Sequence, residues 1–388
     1  MVSEVKPSPQ QSLWTKEFFL ITVANLFIFL GFQMLLPVLP VYSAKLGGAD
    51  TWAGLVVGIF TFSAVIMRPI AGRLLDQRGR KGVFLYGLGG FILCTVAYNW
   101  VPSLLLLLVL RFLHGFGWGA SGTATSTIAS DLIPKQRFAE GMGYFGLTST
   151  LTMAVGPALG LSLMSGYGFS TVFNLSALSA ILAILIALPI KMQKPEQKPN
   201  QKKSFIEKSA LLPGLVILFI NMSYGAVVSF IALYAEERQV QNIGLFFTVY
   251  AIALLVSRPY FGRLTDQKGT SFAVIPGTAA ILAAMVILYF AHSLGAFLFA
   301  GFVYGLGFGA IQPSLQAMAV RNVEPTRRGT ANATFFLGFD LGIGIGSILW
   351  GMVAEITGYG LIYVWAMVPI MIGFFVFLKI GSVGCKTV

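Results

Sequence analysis

Long apolar segments with few charges recur along the whole chain, and they constrain its fold more than any other feature. A bilayer core of about 30 Å is crossed by roughly 20 helical residues. Glycines, prolines and charged residues divide this chain into twelve runs of suitable length. The runs cover residues 18–42, 51–74, 82–100, 103–129, 138–164, 170–190, 211–235, 243–264, 271–292, 294–320, 329–354 and 359–380. The sequence therefore predicts an all-α integral membrane protein with twelve transmembrane helices.

The composition agrees with this fold class, because 56% of the 388 residues are hydrophobic and only 10% are charged. The alternating strands that build a membrane barrel are not found in the sequence. The first 17 residues are polar and no small-residue cleavage site follows, so we expect no signal peptide. Cys94 lies in an apolar run and Cys385 lies near the end, so we expect neither a disulfide nor a metal framework.

The chain contains an internal repeat. RPIAGRLLDQRG at residues 68–79 and RPYFGRLTDQKG at residues 258–269 are identical at eight of twelve positions and lie 190 residues apart. The same offset relates GFGWGA at 115–120 to GLGFGA at 305–310. Two copies of this length nearly fill the chain, and each contains six spans. An even number of spans predicts parallel copies, related by an axis along the membrane normal.

Polar segments delimit the two copies. KMQKPEQKPNQKKSFIEK at residues 191–208 has six Lys, two Glu and two Pro, which is typical of a solvated linker. The predicted organisation is an N-terminal tail, a six-helix bundle, a linker, a second six-helix bundle and a C-terminal tail, at residues 1–17, 18–190, 191–210, 211–380 and 381–388, respectively.

The positions of the basic residues predict the orientation. Nearly all of them lie in the termini, the linker and the loops from even-numbered to odd-numbered spans, whereas the opposite loops contain only Lys45 and Arg238. Both termini are therefore expected to be cytoplasmic. The formal net charge of +12 reflects this bias, so anionic lipid headgroups are expected partners. Nucleic acid is not expected, because the basic residues are spread over separate short loops.

Several motifs resemble those of one transporter family. Residues 72–81, GRLLDQRGRK, are similar to the signature between helices 2 and 3 of the major facilitator superfamily. A further signature, in helix 4, is carried by Leu107, Arg111, Gly115 and Gly117. Gly31 to Pro37 with Pro40 resemble the helix 1 pattern of the drug-efflux group within that superfamily. His114 stands where the helix 4 signature usually has Gln. The resemblance implies two six-helix halves that transport a solute.

The fifth span resembles the helix 5 signature of the twelve-helix drug:proton antiporters in that superfamily. The matching residues are Gly143, Gly156, Pro157 and Gly160. Thr152 and Leu161 replace two glycines of that signature. Gly156 and Gly160, like Gly342 and Gly346 in span eleven, are spaced by four and form stripes for close helix packing. Such stripes allow helices to slide, and they equally form static seams.

The repeated loop is predicted to be a conformational latch. The resemblance places Asp76 near the start of helix 11, where a carboxylate interacts favourably with a helix N-terminus by about 0.3 to 1 kcal/mol. Gly72 would allow close backbone approach, so the loop would hold the cytoplasmic side shut. The other predicted latch residues are Arg73, Gly79, Arg80, Arg263 and Asp266. The alternative is a charged loop that only follows the positive-inside rule.

Two charged residues lie inside apolar spans. Arg111 lies about 12 Å below the outer surface, and a charge at that depth costs at least ~2.5 kcal/mol, so partners are expected. Asp340 lies near the bilayer midplane, where low dielectric disfavours the charged carboxylate. We predict a proton-coupling role for both, the role of Arg111 being implied by the resemblance. The alternatives are a cation capped by carbonyls or His114, and an acid held by hydrogen bonds.

Further polar residues inside the spans are candidates for the wall of a substrate cavity, because helices 1, 4, 7 and 10 surround the central path in this fold. They are Asn25, Gln33, His114, Asn221, Tyr224, Gln312 and Gln316. Each of them can instead form an interhelical hydrogen bond.

The combined expectation is a secondary transporter that works by alternating access and couples proton entry to export of apolar or amphipathic molecules. One alternative is an exporter or importer of a defined metabolite such as a sugar, an opine or a metal chelator, which mixed acidic and basic cavity groups would favour. Another is a non-transporting receptor or scaffold. We expect no enzyme, cofactor or metal, and a monomer in the plasma membrane, namely the inner or cytoplasmic membrane of a bacterium.

Overall fold

The computed structural model describes residues 12–134, 137–191, 206–320, 323 and 328–384. Within these ranges it contains twelve α-helices and one short 3-10 turn. The helices are α1 (Lys16–Lys45), α2 (Asp50–Arg78), α3 (Arg80–Ala97), α4 (Leu104–Leu132), α5 (Phe138–Tyr167), α6 (Phe169–Ala187), α7 (Lys208–Glu237), α8 (Gly244–Lys268), α9 (Ser271–Tyr289), α10 (Leu294–Val320), α11 (Arg328–Thr357) and α12 (Tyr359–Gly384).

All twelve helices are long and apolar enough to cross a membrane, which confirms the predicted fold class. A helix satisfies its backbone hydrogen bonds internally, as a span in lipid requires. Most helices extend beyond the predicted apolar runs because they continue into polar ends. The side chain of Thr15, for example, accepts from the backbone N–H of Phe18 and starts α1 at Lys16, inside the predicted tail.

The predicted linker also needs a small correction at its end. Helix α7 begins at Lys208, so residues 208–210 are helical rather than part of a linker. Residues 381–384 likewise belong to α12 rather than to a tail. Most of the linker, residues 192–205, lies outside the described residues, as do residues 1–11 and 385–388.

The helices pack as two bundles with the same internal plan. In the first half, α1 packs on α5 and α6, and α4 packs on α2 and α3. In the second half, α7 packs on α11 and α12, and α10 packs on α8 and α9. These pairs correspond under the sequence repeat. The halves meet where α2 contacts α11, where α5 contacts α8 and where α1 contacts α7.

Because the number of spans is even, both ends of the chain lie on one side. We call the side where α1 begins and α12 ends the terminal side, and the opposite side the far side. The far side carries the α1–α2 and α7–α8 connections. Under the predicted orientation the terminal side is cytoplasmic.

Candidate functional site

The two halves are closely packed at the far side. A Cβ added to Gly54 of α2 would lie 2.1 Å from the carbonyl oxygen of Ser347 in α11. One turn further along α2, a Cβ added to Gly58 would lie 2.2 Å from the side chain of Ile348. Only glycine at position 54 allows the two backbones to approach so closely, whereas the atoms nearest to Gly58 belong to a side chain.

Polar contacts reinforce this closure at the far ends of α2, α11 and α12. The hydroxyl of Tyr359 donates to Oδ1 of Asp50, and the hydroxyl of Thr51 donates to Oε2 of Glu355. Each bond joins the first half to the second. The far side is therefore shut by both backbone packing and side-chain hydrogen bonds.

The same face of α2 loses its partner toward the terminal side. Gly54, Gly58, Thr61, Arg68 and Gly72 follow one another at helical spacing on this face. The first four contact α11. A Cβ added to Gly72, in contrast, would have no atom within 4 Å. The two helices thus diverge beyond Arg68.

Helices α5 and α8 repeat this arrangement. A Cβ added to Gly244, at the far end of α8, would lie 3.2 Å from the carbonyl oxygen of Ala158. Arg258 still contacts α5, but a Cβ added to Gly262 would again meet nothing within 4 Å. The space between the halves is closed at the far side and opens toward the terminal side.

An ion pair crosses between the halves at the point of divergence. Nη2 of Arg68 in α2 donates to Oδ2 of Asp340 in α11 at 2.5 Å. The two side chains are 33% and 20% exposed, so the pair is partly desolvated and still reachable from the opening. Asp340 was singled out by the sequence, whereas Arg68 was assigned no role there.

The sequence repeat places a second arginine at the corresponding point of α8. Arg258 follows Arg68 by 190 residues and donates to the hydroxyl of Thr150 in α5 and to Oε1 of Gln312 in α10. Thr150 precedes Asp340 by the same 190 residues. The two inter-half contacts are therefore repeat equivalents, with a carboxylate in one and a hydroxyl in the other.

Both arginines lie deep inside their spans. Each is ten residues from the terminal end of its helix, at Arg78 and Lys268. At a rise of about 1.5 Å per residue this places both roughly 15 Å from that end. Asp340 lies twelve residues after the start of α11, roughly 18 Å by the same measure. The three charged groups thus lie at a similar depth, roughly 15 to 18 Å from the terminal ends of their helices, and we call this level mid-depth.

Arg111 lies elsewhere, inside the first half. Its side chain is fully buried, its Nε donates to the carbonyl oxygen of Val56 at 2.8 Å, and its guanidinium lies 4.1 Å from the centroid of the Phe60 ring. Neither terminal nitrogen has a hydrogen-bond partner among the described residues. His114 is also fully buried and bonds the hydroxyl of Tyr98 at 2.8 Å. Arg111 therefore has a carbonyl cap and an aromatic neighbour, not a carboxylate.

Five of the seven cavity candidates are buried within their own half. Asn25 donates to Thr148 at 2.7 Å, and Asn221 donates to the carbonyl oxygen of Phe339 at 2.9 Å. The other three are His114, Gln33 and Tyr224, of which Gln33 packs where α5 crosses α1 and Tyr224 stacks on Phe308.

The remaining two candidates lie nearer the space between the halves. Gln312 binds Arg258, and Gln316, which is half-buried, donates to Asn332 of α11 at 3.1 Å.

The predicted packing glycines occupy close contacts within each half. Gly160 packs against the backbone of Met34 in α1, and Gly156 packs against Gln33, beside the buried Pro157. In the second half, Gly342 and Gly346 pack against the backbone of α7. These stripes hold α5 on α1 and α11 on α7, so they form static seams inside each half. The glycines between the halves, Gly54 and Gly58, were not singled out by the sequence.

The predicted latch residues lie at the open, terminal side. Arg80 donates to Oδ2 of Asp131 at 3.0 Å and to the carbonyl oxygen of Leu75 at 2.7 Å, both in its own half. Gly79 has a positive φ of 93°, a conformation that L side chains rarely adopt, and this explains the glycine in the α2–α3 turn. Arg73 and Arg263 are exposed. The side chains of Asp76 and Asp266 lie outside the described residues, and the latch stays a prediction.

The residues that sequence reasoning missed are Arg68, Arg258 and Thr150. A usable signal was present, since each arginine lies well inside an apolar span and recurs at the same repeat position. Charge at such depth indicates function by default, for these two arginines as much as for Arg111 and Asp340. Nothing in the sequence marks Thr150, because its importance depends on the arginine that contacts it.

Known proteins share this sequence pattern and fold. The Major Facilitator Superfamily model matches residues 21–241 and 214–382. A relative named an uncharacterized MFS-type transporter, MJ1560 of Methanocaldococcus jannaschii, is 26% identical over 386 residues, which cover 94% of this chain and 98% of the relative.

Solved structures show the same fold. The nucleoside transporter NupG gives a TM-score of 0.73 at 15% identity and covers 94% of this chain and 99% of its own. The peptide transporter POT in complex with sulfate gives a TM-score of 0.76 at 15% identity, with coverage of 96% and 97%.

Proposed function

Because the chain belongs to the major facilitator superfamily, we propose that it is a proton-coupled secondary transporter working by alternating access. The observation that supports this most is the ion pair between Arg68 and Asp340, which joins the two halves. It lies at mid-depth, between a closed far side and an open terminal side. A titratable group at that point is exposed to one compartment at a time when the halves rock.

The chemistry of coupling follows from this pair. Protonation of Asp340 removes its charge, so the attraction to Arg68 that links α2 to α11 is lost and the two halves are free to separate there. Deprotonation restores the pair. A proton that enters at one side and leaves at the other contributes about 1.4 kcal/mol per pH unit of gradient.

We further propose that the protein acts as an antiporter in the cell membrane, with both termini in the cytoplasm and proton entry driving export. The antiporter-like residues of α5 support the direction, and the basic loops support the orientation. The three mid-depth charged side chains favour a polar, defined metabolite as cargo over an apolar drug, because a few placed polar groups confer specificity on a pocket. Export of amphipathic drugs, the main expectation from the sequence, becomes the second candidate, on the helix 1 and helix 5 resemblance.

Transport in proteoliposomes under an imposed pH gradient tests the proposal. Transport of a panel of dyes and metabolites is measured for wild type, Asp340→Asn and Glu237→Gln. The pH inside the proteoliposomes is followed with a trapped dye. Asn keeps the shape of Asp but cannot exchange a proton, so Asp340→Asn should lose gradient-driven transport and keep downhill exchange. Glu237 lies at the far end of α7, outside the inter-half pair, and Glu237→Gln should behave as wild type.

Two results would contradict the proposal. Gradient-driven transport by Asp340→Asn at the wild-type level would remove Asp340 from coupling. Gradient-independent movement of every cargo by the wild type would exclude proton antiport altogether. A receptor or scaffold would transport nothing in either protein.

A further inference from the structure

The charges at mid-depth between the halves do not balance. Along the middle of α2, α5, α8 and α11 the charged side chains are Arg68, Arg258 and Asp340. Asp340 pairs with Arg68 at 2.5 Å. Arg258 has neutral partners only, namely the hydroxyl of Thr150 and the amide oxygen of Gln312. One positive charge is therefore left without a counter-charge among the described residues.

The environment of Arg258 makes this surplus costly. Its side chain is only partly exposed, and its Nε is buried with no hydrogen-bond partner among the described residues. A charge inside a membrane protein is expensive unless a partner or water compensates it. Thr150 occupies the repeat position of Asp340, so the sequence supplies a hydroxyl there in place of a carboxylate.

The site is also reachable. One turn beyond Arg258 toward the terminal side, a Cβ at Gly262 would meet nothing within 4 Å, and the same holds for Gly143 and Gly146 on α5. A small molecule can thus approach Arg258 from the open side. A guanidinium presents parallel N–H donors that fit a carboxylate or phosphate in a bidentate manner.

We propose that Arg258, flanked by Thr150 and Gln312, binds the acidic group of the transported molecule, so that the cargo is a small organic anion. This inference rests on the proposed function and names its substrate class. The anion supplies beside Arg258, in the second copy, the negative charge that Asp340 supplies beside Arg68 in the first. Arg68 stays with the proton-carrying carboxylate, and the two repeat-related arginines therefore divide the tasks of coupling and cargo binding.

Ligand binding to the full-length protein in detergent tests the assignment without any need for transport. The probes are sodium benzoate, succinate and phenyl phosphate at matched ionic strength, with benzamide and succinamide as neutral analogues. The readout is the unfolding temperature as a function of probe concentration. At least one anion should stabilise the wild type saturably, and its neutral analogue should not. The comparison of carboxylates with phenyl phosphate distinguishes the two acidic groups.

Thr150→Asp is the decisive variant, because it gives Arg258 the partner that Arg68 already has. It should weaken anion binding at least about tenfold, equivalent to about 1.4 kcal/mol, and so should Arg258→Gln. Arg238→Gln removes a far-side arginine that contacts His292, and it should leave binding unchanged.

The outcomes separate this inference from the proposed function. Absence of stabilisation by every anion, equal binding of the neutral analogues, or unchanged binding by Thr150→Asp overturns the anion site. If neutral or cationic cargo is transported under a pH gradient in a protein that binds no anion, only this inference fails. If anions bind as expected but no gradient drives transport, only the proposed function fails.

Discussion

The far-side closure depends on Gly54, and replacing this residue should shift the protein toward its far-open state. In Gly54→Ala the new methyl group would lie 2.1 Å from the carbonyl oxygen of Ser347. Non-bonded heavy atoms need roughly 3.5 Å, so α2 and α11 would have to separate by about 1.4 Å. The obstacle is backbone and cannot rotate away. Overpacking of this kind costs typically about 1 to 3 kcal/mol.

This cost falls on the far-closed state alone, because the two helices separate when the far side opens. The ratio of far-open to far-closed molecules should therefore rise roughly 5- to 150-fold. The gain in helix propensity from Gly to Ala applies to both states and cancels. Gly72→Ala is the matched control on the same face of α2, because its methyl group meets no atom within 4 Å in the far-closed state.

Distances between spin labels measure the two populations. Labels at Tyr167 and Ile356 report on the far side, since these exposed residues end α5 and α11 in different halves. Cys94 and Cys385 are replaced by Ala beforehand. Gly54→Ala should add a population with a longer distance, and Gly72→Ala should not. Identical distance distributions for Gly54→Ala and wild type would refute the idea that this packing holds the far side shut.

Two further predictions concern stability. Gly342→Ala places a methyl group 2.3 Å from the carbonyl oxygen of Leu218, so its unfolding temperature in detergent should fall by an amount equivalent to about 1 to 3 kcal/mol. The methyl group of Gly89→Ala meets nothing within 4 Å, so the unfolding temperature of this control should not fall. Equal unfolding temperatures for the two variants would contradict the seam between α11 and α7. Arg111→Met keeps most of the buried volume beside Phe60 and removes a fully buried charge whose terminal nitrogens lack partners among the described residues. It should unfold at a temperature no lower than wild type, because replacing a buried ionic group by an apolar one is often neutral or stabilising; a clearly lower temperature would show that Arg111 is structurally required.

The candidate site could be predicted only in part. The depth of Asp340 was evident from its place in an apolar run, and intramembrane charge pointed to function. Its partner was not evident, because Arg68 is separated from it by 272 residues. The choice among many basic residues depends on which helix faces meet across the halves. The cavity candidates show the same limit. Asn25 and Asn221 are polar residues inside apolar spans, as expected for a cavity wall, but each of them forms an interhelical hydrogen bond within its own half.

The number of spans, the two-fold repeat and the fold class follow from the order of the amino acids alone. Lipid offers no hydrogen bonds to a backbone, so each apolar run of sufficient length must be a helix, and this is a local property of the chain. Three features are evident only from the packed helices: which side is closed, which arginine pairs with a carboxylate, and which arginine meets only a hydroxyl and an amide. These are properties of surfaces that come from distant segments. They are also specific to one arrangement of two rigid halves, and a linear pattern does not encode which arrangement is lower in free energy.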